Sequence, residues 1–161
     1  MTAATRCRLG ICLSLACAAL PIWFAPAQQK SAEAEKTQLY KGKVLPLADL
    51  LDKQGVKMDK EAAVQLMVLV GDDGQVHPLV KDDGARMFWK DAQLLNRPMR
   101  LTARPVGGTN FLQVFQVHSY RKGQLHEVYY WCDICIIKRF EKRDCECCGA
   151  PMEFREPPVQ P

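Results

Sequence analysis

The chain has 161 residues, of which 22 are Lys or Arg and 18 are Asp or Glu, so its formal charge is +4, and 48% of its residues are apolar. These values fit one modest folded domain and exclude both a strongly charged disordered chain and two large domains. Eight cysteines are the unusual feature: three precede position 18, five follow position 131, and none lies between. A disulfide scaffold spreads its cysteines along the chain, so this distribution indicates one local site.

The N-terminal segment has the pattern of an export signal. Arg6 and Arg8 precede a long apolar run, and Ala25-Pro26-Ala27 then supplies the small residues that a signal peptidase accepts, so a signal peptide is predicted over 1–27. The alternative is an uncleaved membrane anchor, because the uncharged run 9–29 approaches the roughly 20 residues that cross a bilayer. Both interpretations place the rest of the chain outside the cytoplasm, in the periplasm or the extracellular space.

Residues 28–38 are polar and lack bulky apolar side chains, so they predict a linker between the signal and the folded part. Cleavage after Ala27 would remove two arginines and no acidic residue, leaving 134 residues with 20 basic and 18 acidic side chains, or +2. This near balance gives no electrostatic reason to expect nucleic acid as a partner.

The mature chain has mostly strand patterns. Six segments have them, and they are 40–47, 64–70, 76–80, 97–104, 111–120 and 125–131. Short helices are predicted at 47–54, closed by Gly55, and at 91–96. Asp73-Gly74 and Asp83-Gly84 predict turns, because both central positions of a tight hairpin turn need positive φ. In 97–104, apolar residues alternate with polar ones, so one face of this strand is expected to be buried.

Five or six short strands with little helix predict a mainly β domain over 39–131. A sheet this small must curl to bury its faces, so a small, partly open barrel is the expected architecture. The order of its signals resembles OB-fold-like domains of exported bacterial proteins: Gly42-Lys43-Val44 opens the first strand, Asp73-Gly74 turns, and 96–102 leads into a long final hairpin. The resemblance implies a binding surface on the barrel wall.

The cysteine cluster is the one specific motif. Cys132 and Cys135 form one Cys-x-x-Cys pair, and Cys145 and Cys148 form a second, with Cys147 as a fifth thiol between them. Each spacing lets two thiolates converge on one tetrahedral ion at about 2.3 Å per bond. Gly149 favours Cys148 as a ligand, because a knuckle turns tightly after its second cysteine and glycine tolerates that backbone.

The paired spacing resembles zinc ribbons and rubredoxin-like sites, with a Cys-rich element over 132–155. The resemblance implies Zn²⁺ held by Cys132, Cys135, Cys145 and Cys148. Two features depart from it. Ile136, not glycine, follows the first pair, and Cys147 has no role in a four-ligand site, so it is either an alternative ligand or a free thiol.

Three other uses of these thiols stay open. Exported cysteines meet an oxidising environment, where five thiols permit two disulfides and leave one over. Cys132 and Cys135 have the spacing of a redox dithiol, although no helix clearly starts at the pair to lower the thiol pKa. Cu(I) prefers thiolate and thioether sulfur, which the second cysteine group and Met152 offer.

The other candidate residues predict ordinary structure. His77, His118 and His126 have no partner at ligand spacing and are expected at the surface, with His118 and His126 facing one another across the turn at 121–124. The aromatic pairs and triplets at 88–89 and 129–131 are expected to fill the core.

No catalytic set of residues is present, so an enzyme assignment has no basis in the sequence. The sequence therefore predicts an exported, non-enzymatic binding or structural module that a four-cysteine site stabilises. Its alternatives are an extracytoplasmic thiol-redox or copper-handling protein and a disulfide-stapled envelope interaction domain. The partner would be an envelope protein or a small ligand, and contact with a membrane is expected only through an uncleaved signal. Residues 156–161 form a Pro-rich tail whose three prolines predict that it joins no ladder, so the folded part is expected to end near 155.

Overall fold

The computed structural model describes residues 36–160, and within that range it contains nine β-strands, three α-helices and one 3-10 helix. The strands are β1 (Gln38–Pro46), β2 (Met67–Gly71), β3 (Val76–Pro78), β4 (Pro98–Pro105), β5 (Leu112–Arg121), β6 (Gln124–Glu127), β7 (Tyr129–Cys132), β8 (Ile137–Arg139) and β9 (Glu153–Arg155). The helices are α1 (Leu47–Lys53), α2 (Lys60–Val64), α3 (Met87–Lys90) and the 3-10 turn Ala92–Leu94. No helix in residues 36–160 is long and apolar enough to cross a membrane. The predicted signal peptide and most of the predicted linker lie outside the described residues.

Six strands form one antiparallel sheet in the order β3-β2-β1-β4-β5-β6, and three form a second in the order β8-β7-β9. The prediction of a mainly β fold with short helices is confirmed, and the large sheet is not a closed barrel. It curls far enough that Leu79, just after β3, makes a parallel bridge with Leu112 at the start of β5, and the Val80 N–H donates to the Leu112 carbonyl at 2.9 Å. This bridge brings the β3 end of the sheet towards β5.

The core lies on one face of the large sheet. The alternation predicted for β4 is confirmed, since Met99, Leu101 and Ala103 are all buried. Among the aromatic residues, Phe88 and Tyr130 are fully buried as expected, whereas the neighbouring Trp89, Tyr129 and Trp131 are only half-buried. Period-two burial along a strand is what a sheet with one covered face produces.

Two predicted boundaries are wrong. The residues from Val64 to Leu66 are not strand, because α2 ends at Val64 and β2 begins at Met67. The Asp59 carboxylate caps α2 by accepting from the Glu61 N–H at 3.0 Å, and the following Lys-Glu-Ala-Ala consists of good helix formers. The helix predicted at 91–96 shrinks to the 3-10 turn, with α3 placed just before it.

The predicted strand 125–131 is divided between the two sheets. β6 pairs with β5, while β7 pairs with β8 and β9, and the fully buried Val128 connects them. β8 and β9 each have three residues and carry charges, so they lack the apolar alternation by which sequence reveals a strand. The sequence therefore predicts neither strand.

The predicted arrangement of the histidines is also wrong. His118 lies opposite Glu127, and His126 lies opposite Ser119, so the two histidines point to opposite faces of the sheet. His118 is only 8% exposed rather than at the surface. A shift of one residue in the pairing of β5 with β6 decides whether the two histidines share a face of the sheet, and amino-acid composition does not reveal that pairing.

Burial, together with the positive charge of Arg100, holds the pKa of His118 below its usual value of 6.5. As pH falls, His118 therefore binds a proton in the unfolded chain before it does so in the folded chain. The stability that neutral His118 provides is lost as pH falls from about 6.5 towards the folded-state pKa. We expect the free energy of unfolding to fall less between about pH 7.5 and about pH 5 in His118→Asn than in the unaltered protein. Urea unfolding at the two pH values measures this, and equal pH dependence in both proteins would refute it.

Tyr130 connects the small sheet to the helical segment at Asp91. Its ring packs edge-on against Phe154 of β9 with centroids 5.7 Å apart, and its hydroxyl donates to Asp91 Oδ2 at 2.6 Å. Asp91 precedes the 3-10 turn, so this buried hydrogen bond ties the small sheet to the helical segment that covers the large one. Burial and the hydrogen bond to Asp91 both raise the pKa of Tyr130, which keeps the phenol protonated.

The C-terminal tail pairs with β6, contrary to the sequence prediction. The Val159 N–H donates to the Leu125 carbonyl at 2.8 Å, and the Glu127 N–H donates to the Pro157 carbonyl at 3.0 Å. Pro157 acts here as an acceptor, which it can do without a backbone N–H. Ordered structure therefore continues beyond residue 155 to Val159.

Candidate metal centre

Each Cys-x-x-Cys pair occupies the turn of a hairpin. In the first, Cys132 pairs with Ile137 across β7 and β8, and the Ile136 N–H donates to the Cys132 carbonyl at 2.8 Å. In the second, Asp144 pairs with Pro151, and the Gly149 N–H donates to the Cys145 carbonyl at 2.8 Å. The same hydrogen bond thus closes both turns, so the two pairs form matching knuckles.

The structure brings together the four cysteines that the sequence predicted, with their sulfur atoms all within 4.8 Å of one another. The Cys132 and Cys148 sulfurs are 3.5 Å apart. Four sulfurs around one tetrahedral ion would be separated by about 3.8 Å. Two disulfides would instead need two separate pairs, each at about 2.05 Å. Convergence of all four sulfurs therefore fits a single metal ion. Among residues 36–160, these cysteines are the one group of three or more metal-ligating side chains arranged in this way.

One side of the site belongs to the protein core. Cys132 is 1% exposed and Cys145 is 3% exposed, and both pack in the same apolar cluster as the large sheet, together with Met152. Cys135 is half-buried and Cys148 is exposed, so the other side of the site meets solvent. An ion held here would link the core to the surface of the small sheet.

Ile136 adopts the backbone conformation that glycine adopts in the second knuckle. Its φ is 56°, and that of Gly149 is 72°. Ile136 departs from the knuckle pattern in residue type, yet its backbone keeps the pattern. For an L-residue this left-handed conformation costs about 1–2 kcal/mol, and a β-branched side chain is among the least suited to it.

Ile136→Gly is therefore expected to stabilise the protein by about 1 kcal/mol, after allowing for the extra freedom that glycine gives the unfolded chain. The Ile136 side chain is 70% exposed, so its removal costs little burial. Denaturant unfolding measures the change. Ile134→Gly is the matched control, because Ile134 is equally exposed and has no positive φ. Equal effects of the two substitutions would contradict the prediction.

The backbone around the second knuckle favours a thiolate. The N–H groups of Cys148 and Cys147 donate to the Cys145 sulfur and lower its pKa to about 6. Crowding opposes ionisation in the first knuckle, where hydrogen bonds with the thiols of Cys147 and Cys148 raise the pKa of Cys135. Although the Cys135 N–H, 3.5 Å from the Cys132 sulfur, favours that thiolate, burial and the thiols of Cys145 and Cys148 raise the pKa of Cys132. A cation among the four sulfurs would lower the pKa of these thiols, because a coordinated thiol loses its proton.

Residues in both knuckles form ion pairs with exposed arginines. Asp133, within the first turn, pairs with Arg155 of β9, and Glu146, within the second, pairs with Arg143 and with Arg139 of β8. All five side chains are substantially exposed, so each pair contributes little by itself. They connect the first turn to β9 and the second turn to β8.

Cys147 lies outside the four-sulfur group. It is exposed. His77 lies elsewhere, with its ring against Tyr40 at a centroid distance of 5.2 Å, and His118 and His126 lie on β5 and β6. No histidine therefore joins the cluster.

No protein-family model, curated protein or solved structure matches this chain.

Proposed function

We propose that the chain is an exported, non-enzymatic binding or structural module in which Cys132, Cys135, Cys145 and Cys148 hold one structural Zn²⁺. The observation that carries the proposal is the convergence of four sulfurs from two matching knuckles. Zn²⁺ takes four thiolates in a tetrahedron, and a site closed by four protein ligands leaves no position for substrate. Such an ion stabilises a fold and does no chemistry on a ligand.

The small sheet is the part of the fold that the ion would stabilise. Its outer strands β8 and β9 have three residues each, and no residue of either is fully buried. A bound ion would cross-link the hairpins 132–137 and 144–151, which backbone ladders alone hold weakly at this length.

Metal analysis of the reduced chain, purified without chelator, tests the proposal. We expect about one equivalent of zinc, lost in Cys132→Ser, Cys135→Ser, Cys145→Ser and Cys148→Ser and kept in the matched control Cys147→Ser. Copper in place of zinc would show a copper-handling protein instead. A metal-free chain whose intact mass shows two disulfides would overturn the metal site in favour of a disulfide-stapled domain.

Export is the second part of the proposal, and the arginines, apolar run and Ala25-Pro26-Ala27 support it. Expression of the full chain in a bacterium should give an envelope protein whose N-terminus is Gln28. Ala27→Arg should block cleavage and leave the longer form attached to the membrane. A full-length chain in the cytoplasmic fraction would refute export.

The third part is an OB-like wall that binds an envelope protein or a small ligand. Two observations support it: β1 pairs with both β2 and β4, and a parallel bridge joins Leu79, just after β3, to Leu112 at the start of β5. This closing pattern is typical of five-stranded, partly open barrels. Chemical-shift mapping with candidate ligands would test it, and shifts confined to the cysteine element would contradict a binding wall.

A further inference from the structure

We propose that the outer face of the large sheet, at the end where β4 turns into β5, binds an anionic lipid bilayer. This hairpin face is formed by 39–43, 100–106 and 111–115. The inference goes beyond the proposed function, in which a wall of the sheet binds a protein or a small ligand, and it does not depend on the metal. The sequence predicts membrane contact only through an uncleaved signal, because no single segment displays this surface.

Four large apolar side chains are exposed at this end of the sheet. They are Leu39 at 60%, Val106 at 40%, Phe111 at 39% and Phe115 at 40%. The Val106 N–H donates to the Phe111 carbonyl at 3.0 Å, which continues the pairing of β4 with β5 by one step. Side chains alternate along a strand, so Phe111 lies on the other face from the buried Leu112, and Val106 opposite it shares that outer face.

Leu39 and Phe115 lie on the same outer face. Leu39 is opposite Thr102, whose side chain lies on the face of β4 away from the buried Leu101. Phe115 is the unpaired residue of a bulge in β5, and its ring centre is 5.4 Å from the guanidinium carbon of Arg104. Arg104 follows Thr102 by two residues and shares its face. Four exposed apolar side chains gathered on one face indicate an interaction surface.

The hairpin face is also basic. Lys41 and Lys43 of β1 and Arg100 and Arg104 of β4 lie on it. Lys41 is directly opposite Arg100, and like charges in that position destabilise a sheet. Neither residue takes part in an ion pair within residues 36–160. A negatively charged surface would relieve this repulsion.

Carboxylates are few around this face. The segments 36–48 and 92–126, which contain β1, β4 and β5, have eight Lys or Arg residues and no Asp or Glu. Asp72 and Asp82 border the face from neighbouring turns, and Glu127 at its β6 side already pairs with a lysine. Four basic side chains against two carboxylates without an ion pair leave the hairpin face positive.

A lipid surface fits this combination of side chains better than a soluble partner does. A soluble polyanion would leave the four apolar side chains in water, whereas a bilayer takes them into its interface and holds basic side chains at its headgroups. A stable protein interface uses roughly 20–30 residues a side, many more than this face offers. The chain also enters the sheet at this end, since ten residues, 28–37, connect the predicted export segment to Gln38.

Fluorescence quenching by vesicles tests the proposal with the reduced, metal-loaded chain in the form that the cell makes. The vesicles contain equal parts of phosphatidylglycerol and phosphatidylcholine with brominated acyl chains, which quench an indole that enters the bilayer interface. We expect them to quench the fluorescence that Val106→Trp adds to that of the unaltered chain. Because the signal comes from one position, it reports on this face whether or not 1–27 is still attached.

Val56→Trp is the matched control. Val56 is 43% exposed, like Val106, but it lies between α1 and α2, beyond the other end of β1. The fluorescence that it adds should not be quenched. In both variants the replaced side chain is exposed, so the fold is expected to persist.

The lipid concentration that gives half-maximal quenching of Val106→Trp measures the affinity. Adding Lys41→Gln should raise this concentration about five-fold, because a basic side chain at an anionic surface contributes about that factor. Adding Lys57→Gln, which removes an exposed lysine between α1 and α2, should leave it unchanged. Vesicles of phosphatidylcholine alone should bind at least about ten-fold more weakly.

Three outcomes would overturn the proposal. The first is equal quenching of Val106→Trp and Val56→Trp, or none in either. The second is equal binding to vesicles with and without phosphatidylglycerol. The third is binding of soluble polyphosphate that Lys41→Gln abolishes, without quenching by vesicles, which would assign the face to a soluble polyanion. None of these results changes the zinc content, so the metal site and the membrane face are tested separately.

Discussion

Chelation of the metal-loaded chain is expected to lower its free energy of unfolding by about 4 kcal/mol when free zinc had stood at about 1,000 times the dissociation constant. The reason is that the folded state holds four converged sulfurs, whereas the unfolded chain has no preformed site. Because Cys132 and Cys145 belong to the core that the large sheet covers, the loss should reach the whole fold. Thermal melting with and without a strong zinc chelator, in the presence of reductant, measures it.

Two variants make this experiment specific. Cys145→Ser should melt at the temperature of the chelated protein and should not respond to chelator. Cys147→Ser should behave like the unaltered chain, because its sulfur lies outside the four-sulfur group. A zinc-loaded chain whose melting temperature is the same with and without chelator would show that the ion does not stabilise the fold.

Glu156→Gln is expected to lower the free energy of unfolding by about 2–3 kcal/mol. The Glu156 carboxylate is 6% exposed, accepts hydrogen bonds from Arg97 and Ser119, and pairs with Arg121 at 3.1 Å. Removing one partner of a buried ion pair costs about 3–5 kcal/mol, because the other charge stays behind without compensation. The expected value is smaller here because Arg121 is largely exposed and can be hydrated.

Denaturant unfolding measures this loss, with Glu153→Gln as the matched control. Glu153 carries the same charge three residues earlier, is 65% exposed and pairs only loosely with Arg155, at 3.6 Å. Its substitution should change stability by less than about 0.5 kcal/mol. If the two variants unfold alike, the carboxylate of Glu156 does not anchor the tail.

Local patterns in the sequence predicted much of this fold. The alternation in β4 identified its buried face, and Asp73-Gly74 marked the hairpin between β2 and β3. These features are visible because neighbouring residues create them. The burial of Glu156 arises from contacts between distant segments and leaves no local trace. The register that separates His118 from His126 depends on the pairing of Arg121 with Gln124 at the β5–β6 turn.

For the candidate site, the sequence by itself determined which thiols belong together, since two Cys-x-x-Cys spacings and Gly149 select four of the five cysteines. Only the tertiary structure decided that their sulfurs converge and that Ile136 completes the first knuckle in a left-handed conformation. It also placed Cys132 and Cys145 in the core and left Cys147 exposed. The Cys-x-x-Cys spacing restricts the distance between two sulfurs within one short turn. The distance between the two turns depends on how β7, β8 and β9 pack against the large sheet.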